Sequence, residues 1–289
     1  MTETEHPMNP DRTIPVPSLP LRDGGRIPQL GFGVFQIPPE DTERVVREAL
    51  SAGYRHIDTA QGYRNEREVI AAIEASGIDP DEVFVTSKLS NAHLTYEEAR
   101  AAIDGTIRDF GDKVPDLFLI HWPLPTVRDF TIVWRAIEEA YQAGTLRAIG
   151  VSNFHIPHLE RLMEVAEVQP EVNQIELHPY LTQEPLRAFH AEHGILTEAW
   201  SPIGQGLVLA DPVIGAIARR VGRTPAQVIL RWHLQRDTIV FPRSTNPGRI
   251  RENFDLFDFA LEAADMAAIT ALNRDQRTGG DPDTFRYKY

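Results

Sequence analysis

Residues 117–151, LFLIHWPLPTVRDFTIVWRAIEEAYQAGTLRAIGV, decide the fold. A short apolar run, Leu117 to His121, gives way to a helix-length amphipathic stretch and then to a second apolar run, Ala148 to Val151. Apolar runs this short, bounded by turn signals, read as strands buried on both faces, and a helical crossover between two of them makes a βαβ unit with parallel strands. Outward from this unit the same rhythm recurs at Leu30 to Val34, Tyr54 to Asp58, Val83 to Lys88, Val172 to Glu176, Leu196 to Trp200 and Thr238 to Phe241. The helices between have readable starts. Thr95 with Glu98 three residues on makes a capping box, and Thr224, Pro225 and Gln227 supply cap, first-turn proline and third-position partner. Eight strands, each followed by a helix and with no linker-like break, predict an α/β fold of the (β/α)8 TIM-barrel type, an open doubly wound sheet being the alternative. Ser18 to Pro28 reads as a β-hairpin turning at Asp23-Gly24, placed to plug one barrel end. The chain closes with a helix around Ala263 to Leu272 and an irregular tail from Arg277. Residues 1–17 are expected as a disordered leader, proline-rich and without the apolar core of a secretory signal, and 18–289 as one barrel domain.

Composition narrows the partners. With 42% hydrophobic and 25% charged residues over 289 positions, disorder, collagen and coiled coil are excluded. A formal net charge of -13 repels phosphate backbones and anionic membrane surfaces, so no nucleic acid is expected and any anionic ligand needs a local basic pocket. The absence of cysteine excludes disulfides, thiol nucleophiles and thiolate metal sites. No apolar run approaches the roughly 18 residues of a membrane span, and a cytoplasmic location is the expectation.

A barrel carries its site at the C-terminal ends of the strands, and there ionisable groups recur. The second strand ends at Asp58, the third at Lys88 and the fourth at His121, with Tyr63 five residues beyond Asp58. A carboxylate and an ammonium side by side at a half-buried mouth need one another to offset desolvation. The ammonium is also expected to lower the phenol pKa of Tyr63 from its reference of about 10, and His121 can hydrogen-bond a substrate oxygen. The four together suit protonation of a carbonyl oxygen. The same atoms also fit a Schiff-base lyase with Lys88 as nucleophile, and a Lys–Asp pair at a strand end is often only a satisfied ion pair. A complete G-x-G-x-x-G is absent, which disfavours Rossmann-type nucleotide binding. After the last strand, however, Pro242 to Arg251 holds Arg243, Arg249 and Arg251 and no acid, with Ser244 and Thr245 as hydroxyls and Pro247 placed to open a helix, a common phosphate site in barrels. Ser152, Asn153, Gln174 and Trp200 suit a flat, amide-bearing ring across the mouth. The pairs His155/His158 and His190/His193 lack a third ligand at diagnostic spacing, read as surface or capping histidines, and no metal is expected.

The stretch 53–66, GYRHIDTAQGYRNE, resembles the first signature of the aldo-keto reductase superfamily over its whole length. Further similar stretches are 86–89, 120–123, 149–154 (IGVSNF), 174–180 (QIELHPY), 242–244 and 249–253 (RIREN), so that the resemblance covers about residues 18 to 285 and is strongest with the bacterial branch of 2,5-diketo-D-gluconate reductases. It implies a monomeric barrel that binds NADPH and reduces aldehydes or ketones, with 2,5-diketo-D-gluconate or small dicarbonyls such as methylglyoxal as candidate substrates. It further implies Tyr63 as general acid, Asp58 and Lys88 as its tuning pair and His121 as the group that orients the carbonyl. Ser152, Asn153 and Gln174 would hold the carboxamide, Trp200 would stack on the nicotinamide, and Ser201, Ile203, Gly204 and Gln205 would line the pyrophosphate path. Arg243, Ser244, Thr245 and Arg249 would clasp the 2'-phosphate, with Glu252 and Asn253 near the adenine. Phe35, Ser90 and Trp122 are the expected substrate walls. The chain departs from the pattern in Arg243, where lysine is commoner, in Ser90, where an aromatic often stands, and in Arg64, where glycine is frequent. A nicotinamide-binding regulatory protein with little turnover is the remaining alternative.

Overall fold

The computed structural model describes residues 16–286. The expected hairpin forms: β1 (Ser18–Pro20) pairs antiparallel with β2 (Arg26–Pro28), with Leu19 opposite Ile27. Most of the expected leader lies outside the described residues. Its last two residues are anchored, Val16 against the core and Pro17 through its carbonyl, which accepts from Gln29 N at 2.8 Å.

Eight parallel strands follow: β3 (Phe32–Gly33), β4 (His56–Asp58), β5 (Phe84–Leu89), β6 (Leu117–Ile120), β7 (Ala148–Ser152), β8 (Val172–Glu176), β9 (Leu196–Trp200) and β10 (Ile239–Val240). They pair in chain order, and a parallel bridge between Leu30 and Val240 joins the last strand to the first. Gly31 N donates to Val240 O, and Val240 N to Gln29 O, both at 2.9 Å. That seam rules out the open-sheet alternative. Gly150 in β7 is required by close approach, since a Cβ there would sit 2.5 Å from Val172 O.

The helices lie between strands as α1 (Pro39–Ala52), α2 (Glu66–Glu74), α3 (Tyr96–Phe110), α4 (Phe130–Gln142), α5 (Ile156–Met163) and α6 (Glu184–His193). Between β9 and β10 there are two, α7 (Pro212–Val221) and α8 (Pro225–Leu234), one more than the strand count predicts. Gly222, at φ 66°, ends the first, and the Thr224–Gln227 capping box with Pro225 starts the second. The Thr95–Glu98 box likewise opens α3. α9 (Pro247–Phe254) follows β10, and α10 (Ala263–Thr270) precedes the tail.

Two apolar clusters result. The larger packs the outward strand residues against the helices. The smaller gathers Leu21 and Ile27 of the hairpin with Leu117, Ala148, Val172 and Ile239, the first residues of four barrel strands, so the hairpin closes the N-terminal end. The opposite end gathers the C-terminal ends of the strands, where barrels of this type carry their sites.

Candidate active site

At the open end Asp58 closes β4, Lys88 stands next to last in β5, and Tyr63 sits on a short 3-10 turn, Gln61–Tyr63, after β4. Lys88 is fully buried. Its Nζ donates to Asp58 Oδ1 at 2.7 Å and to Thr59 O at 2.9 Å. The Tyr63 ring centroid lies 5.1 Å from that nitrogen, and the ring meets His121 edge-on at 5.6 Å. All four expected groups are thus in one cluster. The turn is braced by Gln61, which accepts from Ser90 N at 2.8 Å and donates to Ala102 O and Thr106 Oγ1. Asn65, fully buried, donates to Val34 O and Ile37 O and so ties the turn to the Phe35 loop.

The electrostatics depart from expectation at one point. Burial pushes the Tyr63 phenol up to about 12, and although Lys88 pulls the other way, it does not prevail. Lys88 lowers the pKa, as expected, but the net shift is upward because desolvation of a phenolate costs more than one partnered ammonium returns. Burial pulls the Lys88 pKa down, and the charge and hydrogen bond of Asp58, foremost among its raising partners, outweigh it, so the ammonium is held. Burial, with Lys88 and Arg128 adding, keeps His121 well below the usual histidine range, so its ring is neutral.

The residues expected to face a flat ring are joined. Asn153, at φ 64°, donates to His121 O at 2.9 Å and to Ser152 Oγ at 3.0 Å, and accepts from Trp200 Nε1 at 2.7 Å. Ser152 Oγ donates to Gln174 O at 2.8 Å. Gln174 Nε2 donates to Asp58 Oδ1 and Glu198 Oε2, both at 2.8 Å, which links this group to the ion pair. The segment after β9 is tightly wound: Ser201, Gly204 and Gln205 all have positive φ, and Ile203 packs on the core.

After β10, Arg243, Thr245 and Arg249 are exposed at the start of α9, where Asn246 accepts from Arg249 N at 3.1 Å as cap. Ser244 Oγ accepts from Asn246 N at 3.0 Å. Glu252 and Asn253 are not displayed with them. Glu252 Oε1 accepts from Thr224 Oγ1 at 2.8 Å, and Asn253 is buried on the inner face of the helix.

Of the expected walls, Phe35 is 53% exposed beside the Tyr63 ring, Ser90 is half-buried and Trp122 is nearly covered. Trp122 is covered by Phe285 of the tail, stacked at 4.0 Å, a contact the sequence reading misses. The tail is anchored by Glu176, which accepts from Thr278 Oγ1 at 2.6 Å and from Gly279 N. Gly279 lies against Trp200, where a Cβ would come within 2.3 Å of the indole. Glu198 is also missed; its signal is an acid two residues before Trp200, on the same face of an apolar strand.

The histidine pairs resolve separately. His158 Nδ1 accepts from His155 N as a cap, whereas His190 is not at the surface but buried between Asn173 Nδ2 and Thr197 Oγ1, each at 2.9 Å. Asp281 and Asp283 of the tail come beside His155, whose Nδ1 lies 2.9 Å from Asp283 Oδ1 while its Nε2 accepts from Arg277 Nη2 at 2.8 Å.

The sequence model of the Aldo/keto reductase family matches residues 29–274. An aldo-keto reductase of Mycolicibacterium smegmatis is 51% identical over 271 residues, 94% of this chain and 98% of its own. Methylglyoxal reductase DkgA of Yersinia pestis is 44% identical over 93% of this chain and 97% of its own. Among solved structures, a variant of Gox0644 in complex with NADPH superposes with a TM-score of 0.89 at 45% identity, covering 94% of this chain and 99% of that one. Strand-end ion pair, barrel and relatives that span nearly the whole length lead to one conclusion: the chain belongs to the aldo/keto reductase family.

Proposed function

We propose that the protein reduces aldehydes and ketones to alcohols with NADPH, and that Tyr63 supplies the proton. The observation that carries this reading is the buried Lys88–Asp58 pair beside a phenol that stays protonated across the physiological range. The donor set fits the cofactor at both ends. Exposed Arg243 and Arg249 at the capped start of α9 suit a phosphate, and Ser152, Asn153 and Gln174 offer amide and hydroxyl partners for a carboxamide, with Trp200 beside them. Ser201, Ile203, Gly204 and Gln205 take the pyrophosphate path between these ends.

When bound, NADPH supplies the hydride to the carbonyl carbon. Tyr63 O–H donates a hydrogen bond to the carbonyl oxygen and then its proton, and the adjacent Lys88 ammonium stabilises the phenolate that remains. Asp58 fixes Lys88 in place. Neutral His121 offers a ring N–H that orients the oxygen. Phe35, Trp122 and Phe285 give apolar walls, and Ser90 a smaller polar one. The name of the Yersinia relative favours small dicarbonyls such as methylglyoxal, with 2,5-diketo-D-gluconate as the other candidate. The protein is taken to act as a cytoplasmic monomer, and the net charge of -13 supports neither nucleic acid nor an anionic membrane as partner. Lys88 as Schiff-base nucleophile is disfavoured, because its nitrogen is committed to Asp58 and Thr59 and held charged.

Tyr63→Phe tests the mechanism. It is expected to bind NADPH as the wild type does, followed by tryptophan fluorescence, and to lose about 100-fold or more in turnover on methylglyoxal. Unchanged turnover overturns the role of Tyr63, and binding without consumption of NADPH by the wild type on a broad carbonyl panel points to a regulatory protein.

A further inference from the structure

Glu198 lies on β9, in register with Gln174 on β8, and is fully buried. The mechanism above gives it no task. Its Oε2 accepts from Gln174 Nε2 at 2.8 Å, and the same nitrogen donates to Asp58 Oδ1 at 2.8 Å, the oxygen that also takes Lys88 Nζ at 2.7 Å. Two carboxyl groups thus share one amide, and of the two only Asp58 takes a hydrogen bond from the ammonium. The charged groups facing Glu198 are Asp58 from β4 and Lys88 from β5; Gln174 on β8 and Ile239 on β10, its register neighbours, do not ionise.

With Glu198 neutral, Lys88 and Asp58 balance. With it ionised, the buried cluster carries a surplus negative charge, and Glu198 Oε1 has no hydrogen-bond partner among the described residues to offset it. Burial first, and Asp58 second, push its carboxyl up to about 8. The charge of Asp58 opposes loss of the phenol proton, raising the Tyr63 pKa while Lys88 lowers it, and a carboxylate at Glu198 would carry the same sign.

We propose that Glu198 is a positioning residue of the catalytic centre: as the neutral acid it steadies Gln174 and leaves Asp58 the single carboxylate facing Lys88, and when its proton passes to solvent the added charge draws on Lys88 and makes Tyr63 a weaker proton donor. The effect on Tyr63 rests on the reductase reading. Glu198→Gln keeps the volume and an acceptor for Gln174 but cannot ionise. Wild-type kcat for carbonyl reduction is expected to fall several-fold as pH rises through about 8, while E198Q holds its turnover over the same interval. Thermal melting gives a readout that needs no turnover. A carboxyl with a raised folded-state pKa contributes stability that is fully present below about pH 4.5 and is lost as pH climbs through about 8, so the Tm of E198Q gains on the wild type across that window and no further above it.

A Tm difference that is the same at every pH overturns the proposal. So does an alkaline fall in kcat that persists in E198Q, or a kcat lowered by one factor at all pH values, which marks a merely structural role. A wild type that reduces no carbonyl at any pH overturns the reductase reading and with it the effect on Tyr63, a result the melting series distinguishes from a failure of Glu198 to hold its proton.

Discussion

Lys88 is a fully buried ammonium at the open end of the barrel, and it donates to Asp58 and Thr59. Replacing it with methionine leaves Asp58 a buried, uncompensated carboxylate, and a loss of about 3–5 kcal/mol in unfolding free energy is expected from urea titration. The double variant Lys88→Met with Asp58→Leu is expected to recover part of that loss, which a double-mutant cycle reads directly. Asp58, Lys88 and His121 are legible in the sequence because each is an ionisable group at the end of an apolar run, where burial without purpose is costly. Glu198 escapes the same reading because it stands inside its strand, and only the register with Gln174 shows that it shares a partner with Asp58. The direction of the Tyr63 shift is hidden for a different reason. A neighbouring charge can be inferred from spacing, but desolvation sums over every atom around the ring.

The helices are carried by their caps. Thr95 makes a closed box with Glu98, and Thr95→Ala is expected to cost about 1 kcal/mol in thermal or urea unfolding. Thr224→Ala is expected to cost more, because that hydroxyl also donates to Glu252 and so ties the start of α8 to α9. Helix starts are legible since cap, first-turn proline and third-position partner are adjacent in the chain. The second helix between β9 and β10 is not resolved at that level, because strand spacing reports only the length of a crossover. The tail is least legible of all. Its anchor, Glu176, lies 102 residues before Thr278, and nothing in the local sequence announces that Phe285 will stack on Trp122.

Taken whole, the molecule repels anions and yet displays Arg243 and Arg249 together at the start of one helix. Arg249→Ala is therefore expected to weaken NADPH binding about tenfold and NADH binding little, with the NADPH affinity falling as salt is raised, followed by tryptophan fluorescence. The barrel architecture is the most legible feature, since eight apolar runs with crossovers leave few alternatives, while the seam that distinguishes a closed barrel from an open sheet is a single bridge between distant segments. That bridge has a consequence for how the chain is made. Leu30 and Val240 are roughly two hundred residues apart, so during synthesis the first strand leaves the ribosome long before its closing neighbour exists. Until then the nascent sheet carries an open edge at β3, a template for pairing with other chains. Late barrel closure of high contact order makes refolding slow, and premature termination before β10 is the lesion that would commit this protein to aggregation rather than to a smaller, functional barrel.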